Sequence, residues 1–230
     1  QQVSSAASDV YKRQIFGQFS YRFAEDWSVT LGARSTEEDK TGFKEYVGII
    51  SASGEGSFDD TTSTFIIEHD FSENTNVYFK VAEGFKAGGF NAESSNPFAA
   101  STPYAPETIE STELGLKGRY LDNRMMLNVA YFDNEHEDMQ ISYFNADAAA
   151  ASEVINNSAS ISGLEIESMT MLNDSTVLTL NFSTLDSEFT GNKTAQDGFL
   201  LENIPYSPEK TLYASLEKDF GAYRVRLDHT

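Results

Sequence analysis

Three histidines, His69, His136 and His229, are the side chains best suited to metal or proton chemistry in this 230-residue chain. None stands in an H-E-x-x-H arrangement or at any other paired-ligand spacing. Glu135, His136, Glu137 and Asp138 together have the donor types to hold a cation, although an exposed polar cluster of this kind reads better as a solvated loop. With 36 acidic residues, carboxylate pairs arise by chance, so Glu165 and Glu167 give no support to a glycosidase. The run Gly84, Phe85, Lys86, Ala87, Gly88, Gly89, Phe90 lacks the spacing of a phosphate cradle and opens no helix. Neither a G-x-S-x-G elbow nor a P-loop is present. The expectation is a protein that is not an enzyme, with no catalytic residue, no metal site and no cofactor.

Composition narrows the partners. A formal charge of -20 and a pI near 4.3 argue against nucleic acid, because phosphate binding runs on neutralisation by Lys and Arg. An apolar content of 40% with 13% aromatic residues suits a folded chain. No run of about 18 apolar residues exists, which excludes a transmembrane helix, but a barrel strand needs only about 9 to 11 residues of alternation. Cysteine is absent, so no disulfide or thiolate site can be read. Residues Gln1–Arg13 show neither the apolar core of a secretory signal nor a strand pattern. Residues 1–14 are therefore read as a non-native or disordered leader, and 15–230 as the folded part.

Stepping along the chain, charged residues fall on the opposite parity from large apolar ones. Leu114 and Leu116 alternate with Glu113, Lys117 and Arg119; Leu164 and Ile166 with Glu165 and Glu167; Tyr223, Val225 and Leu227 with Arg224, Arg226 and Asp228. A period of two is the strand period. Short turns rich in Asp, Asn, Ser and Gly recur at Ala24–Asp26, Phe71–Thr75, Leu121–Arg124, Leu172–Ser175 and Asp219–Ala222, a pitch of roughly 48 residues. They predict five hairpins: Ile15–Phe23 with Trp27–Thr36, Thr62–Asp70 with Asn76–Phe85, Thr108–Tyr120 with Met125–Asp133, Ser158–Met171 with Thr176–Phe189, and Lys210–Lys218 with Tyr223–Thr230. Between them lie long polar connections at about 37–61, 86–107, 134–157 and 190–209, and loops of that length tend to be functional.

Three features send the oily face into lipid. Arg22, Arg34, Glu68, Lys80, Lys117, Arg119, Glu165, Glu167, Arg224 and Arg226 all avoid the apolar parity, as they must where a lipid-facing Lys or Arg costs about 2–4 kcal/mol. Aromatic residues gather at the short turns, Phe23 and Trp27 at the first, Phe71 and Tyr78 at the second, Tyr120 at the third, Phe220 and Tyr223 at the last, as a membrane-interface girdle requires. Short turns on one side and long loops on the other match the periplasmic and extracellular ends of an outer-membrane barrel. The fold class is thus all-β, an antiparallel up-and-down transmembrane β-barrel segment of about ten strands. A soluble β-propeller or carbohydrate-binding module shares the parity and the pitch, but a propeller blade needs four strands per repeat. A passive porin-like channel shares the lipid argument.

The run GFKAGGFN at Gly84–Asn91, followed by PETIESTELGLKGRYLDNRMMLNVAYF at Pro106–Phe132, resembles the β-barrel of TonB-dependent outer-membrane receptors. Asp138, Met139 and Gln140 resemble that family's D-x-I run, and Asn156, Asn157, Ser158 through Gly163, Leu164, Glu165 its N-x-G-x-E step. The resemblance covers Ile15–Thr230. It implies a barrel of about 22 strands with a plugged lumen, in the outer membrane of a Gram-negative bacterium. It also implies active import of a scarce, large ligand, such as a ferric siderophore, haem, cobalamin or an oligosaccharide. The implied partners are a TonB-type energy-coupling protein acting through the plug region, outer-membrane lipid and that ligand. Neither a plug nor a coupling box is in this sequence, so the chain is expected to be an interior fragment of the barrel. Within the long loops Lys86, Phe90, Tyr104, Tyr143 and Phe144 are the candidate ligand contacts, because large binding sites favour aromatics beside adaptable polar groups. Each reads equally as an ordinary loop or strand-end side chain.

Overall fold

Ten strands follow one another in a single antiparallel sheet in which every strand pairs with its sequence neighbours. The computed structural model describes residues 4–46, 50–92, 94, 96–145, 151–191 and 203–230. The strands are β1 (Ser4–Arg22), β2 (Trp27–Tyr46), β3 (Ile50–Ser72), β4 (Thr75–Lys86), β5 (Glu107–Tyr120), β6 (Met125–Asn145), β7 (Ala151–Asn173), β8 (Thr176–Phe189), β9 (Lys210–Asp219) and β10 (Arg224–His229). A short helix, α1 (Pro97–Ser101), interrupts the β4–β5 connection, with Asn96 as its N-cap accepting from the Phe98 N–H. β1 and β10 are the edges, so the sheet is an open panel and not a closed barrel.

Register turns the parity of the sequence into two faces. Val29, Ile67, Phe79, Leu114, Tyr131 and Leu164 stand directly opposite one another across six strands, as do Trp27, His69, Val77, Leu116, Val129 and Ile166 one rung nearer the short turns. This apolar face is uncovered: Leu31, Leu114, Tyr131 and Leu212 are each about half exposed. On the other face Ser28, Glu68, Tyr78, Gly115, Ala130 and Glu165 form the corresponding rung. All ten charged residues expected off the apolar parity lie on that polar face. A soluble sheet would bury its oily side; this one presents it as a continuous surface.

The five short turns are where the sequence placed them. Two of the four long connections are not loops, however. Segments 37–61 and 134–157 are mostly strand, because β2 and β3 pair rung by rung up to Tyr46 opposite Ile50, and β6 and β7 up to Asn145 opposite Ala151. Their sequences hide this because both faces of a strand that rises beyond the lipid are wet, and alternation is lost while backbone pairing continues. Residues 4–14, expected outside the fold, are likewise the far half of β1, with Lys12 opposite Glu38 and Gln14 opposite Thr36. From Asp9 to Gln14 both parities carry charge, Asp9 and Arg13 on one and Lys12 on the other, which is why no strand pattern was visible there.

Charge placed on the apolar face should unfold the panel. In the full-length protein refolded into bilayers, Val129→Arg is expected to lower unfolding free energy by about 2–4 kcal/mol, while Thr211→Arg on the polar face changes it by no more than about 0.5 kcal/mol. Denaturant titration of the heat-modifiable band checks both.

Candidate functional site: the polar wall and its outer mouth

The polar face is a wall of paired charges. Tyr78 donates its hydroxyl to Glu113, whose other carboxylate oxygen lies 3.3 Å from Lys80 Nζ, and Lys117 sits 5.0 Å above the Tyr78 ring. Asn128 donates to Glu167 at 3.3 Å, and Arg226 and Asp228 meet on the Tyr213 hydroxyl. Tyr78, expected beside the second turn as an interface aromatic, belongs instead to this wall, since its parity is that of Glu68 and Lys80. Near the short turns the wall opens into a cleft of about 710 Å³ lined by residues of both signs, among them Asp70, Lys117 and Arg119. Among the described residues no group of three or more His, Cys, Asp or Glu could hold a metal.

At the opposite end, the β4–β5 connection folds over the polar face. Gly88 and Gly89 are buried, and Tyr104 closes the loop on itself through an antiparallel bridge to Gly89. Phe90 lies flat on a bare shelf made by Gly42 and Gly54, which are direct cross-strand partners. A Cβ on Gly54 would come within 2.5 Å of the Phe90 ring and would also strike the Ser101 carbonyl, so only glycine admits the loop. Lys40 donates to the Gly88 carbonyl at 2.8 Å and stands 5.8 Å from the Phe58 ring. Below it Glu38 bridges Lys12 at 2.6 Å and Lys40 at 3.4 Å. The hydrogen bond from Lys12, reinforced by the charge of Lys40, outweighs burial and holds the Glu38 carboxyl below its usual range.

The far side of the loop is fixed to β6 and β7. Glu107 accepts from the Gln140 backbone at 3.0 Å and meets His136 Nδ1 at 3.1 Å, with Lys86 Nζ 3.6 Å away. A bulge between His136 and Met139, with Asp138 at φ 52°, shifts the pairing phase of β6 and re-aims Gln140. Gln140 then donates to the carbonyls of Ala87 at 3.0 Å and Ala105 at 3.2 Å. Beyond the bulge, Ile141, Ala159, Phe189 and Ile204 form a small buried apolar cluster that holds the end of the β8–β9 connection against the sheet.

The sequence candidates are thus distributed rather than gathered. Lys86 is mostly exposed and faces the Glu107 carboxylate. Phe90 is spent on the Gly42 and Gly54 shelf and Tyr104 on closing the loop, and burial raises the Tyr104 hydroxyl above its usual pKa. Tyr143 is buried and donates to Glu153 at 3.3 Å. Phe144 stands opposite Ser152 in the β6–β7 pairing, and its side chain lies outside the described residues, as does most of the expected 190–209 loop. At the short turns, Phe23, Trp27, His69 and Phe71 form one aromatic row, with Trp27 stacked on His69 at 4.3 Å. Phe220 stacks on Tyr223 at 4.9 Å, and Tyr120 accepts a hydrogen bond from Thr75. Gln140, Asn156, Asn91 and Glu107 were missed as structural contacts. The signal available was chemical: amide side chains are poor strand formers, so their presence beside a strand end asks for a backbone partner.

An antiparallel sheet with an exposed apolar face, a hydrogen-bonded charged face and unequal ends is the wall of a membrane-spanning β-barrel. The family model for the TonB dependent receptor-like β-barrel matches residues 2–227. Among solved structures, the ferric yersiniabactin uptake receptor FyuA from Yersinia pestis superposes with a TM-score of 0.79 at 18% identity, over 97% of this chain and 34% of that one. The siderophore receptor PiuA from Acinetobacter baumannii gives 0.73 at 18% identity, over 92% and 31%. The copper transporter OprC gives 0.75 at 13% identity, over 95% and 34%. The chain belongs to the TonB-dependent receptor β-barrel family, whose members reside in the outer membrane of Gram-negative bacteria. It spans about a third of the length of these solved receptors.

Two outcomes follow from this geometry. Gly54→Val is expected to expel Phe90 from its shelf and expose the 86–107 segment to protease in intact receptor, with nicking at least tenfold faster than in the parent. Because Glu38 is held below its usual value in the folded state, the Lys12–Glu38–Lys40 contacts stabilise the upper β1–β2 arms fully above about pH 4.5, and that contribution is lost as pH falls through the lowered value. Lys12→Met should move the Glu38 titration upward in a carbon-detected NMR measurement.

Proposed function

We propose that this panel is part of an outer-membrane active transporter that binds a scarce, large ligand at the cell surface and admits it to the periplasm, drawing energy from a TonB-type inner-membrane coupling complex. The family match across nearly the whole chain carries this reading. Receptors of similar fold take up ferric yersiniabactin and other siderophores, and one transports copper, so a ferric siderophore leads the ligand classes, ahead of haem, cobalamin and oligosaccharide. In this reading the polar wall lines the path around a plug. The outer mouth contributes Lys86, Phe90, Tyr104, Tyr143 and Phe144 to the binding surface, Lys86 by direct charge and the others by shaping it. Phe23, Trp27, Phe71, Tyr120, Phe220 and Tyr223 sit at the membrane interface on the periplasmic side, where an amphipathic ring gains from both phases.

The test is growth of a receptor-deleted strain complemented with the full-length gene, supplied in turn with ferric siderophores, haem, cobalamin and oligosaccharides as limiting nutrient. Import should require both the receptor and the coupling protein, and accumulation that continues without the coupling protein would establish a passive channel instead. For an anionic chelate, Lys86→Glu is expected to weaken binding about tenfold, or ~1.4 kcal/mol, measured by ligand quenching of intrinsic fluorescence.

A further inference from the structure

β4 and β5 stop at Lys86 and Glu107, while the hairpins on either side, β2–β3 and β6–β7, rise well beyond them. The β2–β3 arm has β1 paired along its outer side, but beyond Ala159, opposite Phe189, the β6–β7 arm is two-stranded, and such an arm standing alone is marginally stable. The connection between β4 and β5 reaches both arms. Toward β2–β3 it lays Phe90 on the Gly42 and Gly54 shelf, packs α1 on β3 and β2 with Ala100 buried, and accepts the Lys40 ammonium at Gly88. Toward β6–β7 it uses side-chain amides as stand-ins for a strand. Asn91 accepts from the Val154 N–H at 2.7 Å and donates to the Val154 carbonyl at 3.0 Å. Reciprocally, Asn156 accepts from the Ala105 N–H at 2.9 Å and donates to its carbonyl at 3.0 Å.

We propose that the β4–β5 connection is a tie-bar that locks the two tall hairpins into one rigid rim, so that the mouth on this side cannot change shape unless the tie is released. Phe90 and Asn91 are consecutive, yet they grip different hairpins, and one residue of extended chain supplies only about 3.3–3.6 Å of reach. There is no slack between the two grips. Asparagine is required at 91 and 156, because only a short primary amide both donates and accepts from one planar end. The tie acts on the mechanics of the rim whatever the ligand is.

Distances between nitroxides at Ser57→Cys on β3 and Ser142→Cys on β6, both exposed, test it in the full-length receptor in nanodiscs. This segment has no cysteine to interfere. The parent and Phe98→Ala, which removes an exposed side chain from α1, should give one narrow distribution. Asn91→Ala combined with Asn156→Ala should at least double its width and accelerate amide exchange in 151–157 tenfold or more. Heat-modifiable mobility confirms that the barrel has formed, and Gln140→Ala, which removes the bonds to Ala87 and Ala105, replaces the double variant if that one fails to insert. A parent distribution already as broad as the variants, or an unbroadened one in whichever tie variant folds, overturns the proposal.

Discussion

Backbone N–H and C=O groups that face hydrocarbon have no water to turn to, and each one left unpaired costs several kcal/mol. The eight strands from β2 to β9 pair on both sides, and the rest of the structure inherits its geometry from that demand. Once β3 is paired to β2 and β4, a slip of one residue would swing Phe65 and Ile67 onto the charged wall and Glu68 into lipid. The three irregularities in pairing obey the same constraint. They fall at Asp70/Ser72 and Met171/Asn173 beside short turns, and at His136/Met139 above the apolar band, and none interrupts the band itself.

The polar wall answers a different problem. Its charges face away from the lipid and are retained, and several are matched within the wall: Glu113 with Tyr78 and Lys80, Glu167 with Asn128, Arg226 with Asp228. Bulky rings reconcile with close-set strands by lying over small neighbours, as Tyr78 does over its cross-strand partner Gly115. Most of the net negative charge of the sequence falls in the segments of the rising arms and long connections.

How much of this the sequence disclosed depended on lipid. Between the short turns and the upper edge of the apolar band, the alternation of Leu114 and Leu116 with Glu113 and Lys117 announced strand, face and boundary together. Above that edge Glu37, Glu38 and Asp39 on β2, or Glu135 and Glu137 on β6, show no alternation, and strand there was read as loop. The β-structure is the same; only the medium that forces a pattern on it is gone. The site was less legible still. Phe90 was chosen as an aromatic in a loop, but its role depends on Gly42 and Gly54 from another hairpin, a convergence that no local pattern encodes.

Where the lipid no longer dictates the side chains, something else must hold the strands upright. The rising arms of β6 and β7 are gripped from two sides, by the amides of Asn91 and Asn156 across to the β4–β5 connection and by Ile204 against Ile141, Ala159 and Phe189. Each such hydrogen bond contributes only about 0.5–1.5 kcal/mol net, far less than burying the apolar band. Energies of that size suit a rim that is ordered at rest and still reversible. The strongest forces are spent where the wall must never open, and the weakest at the outer rim.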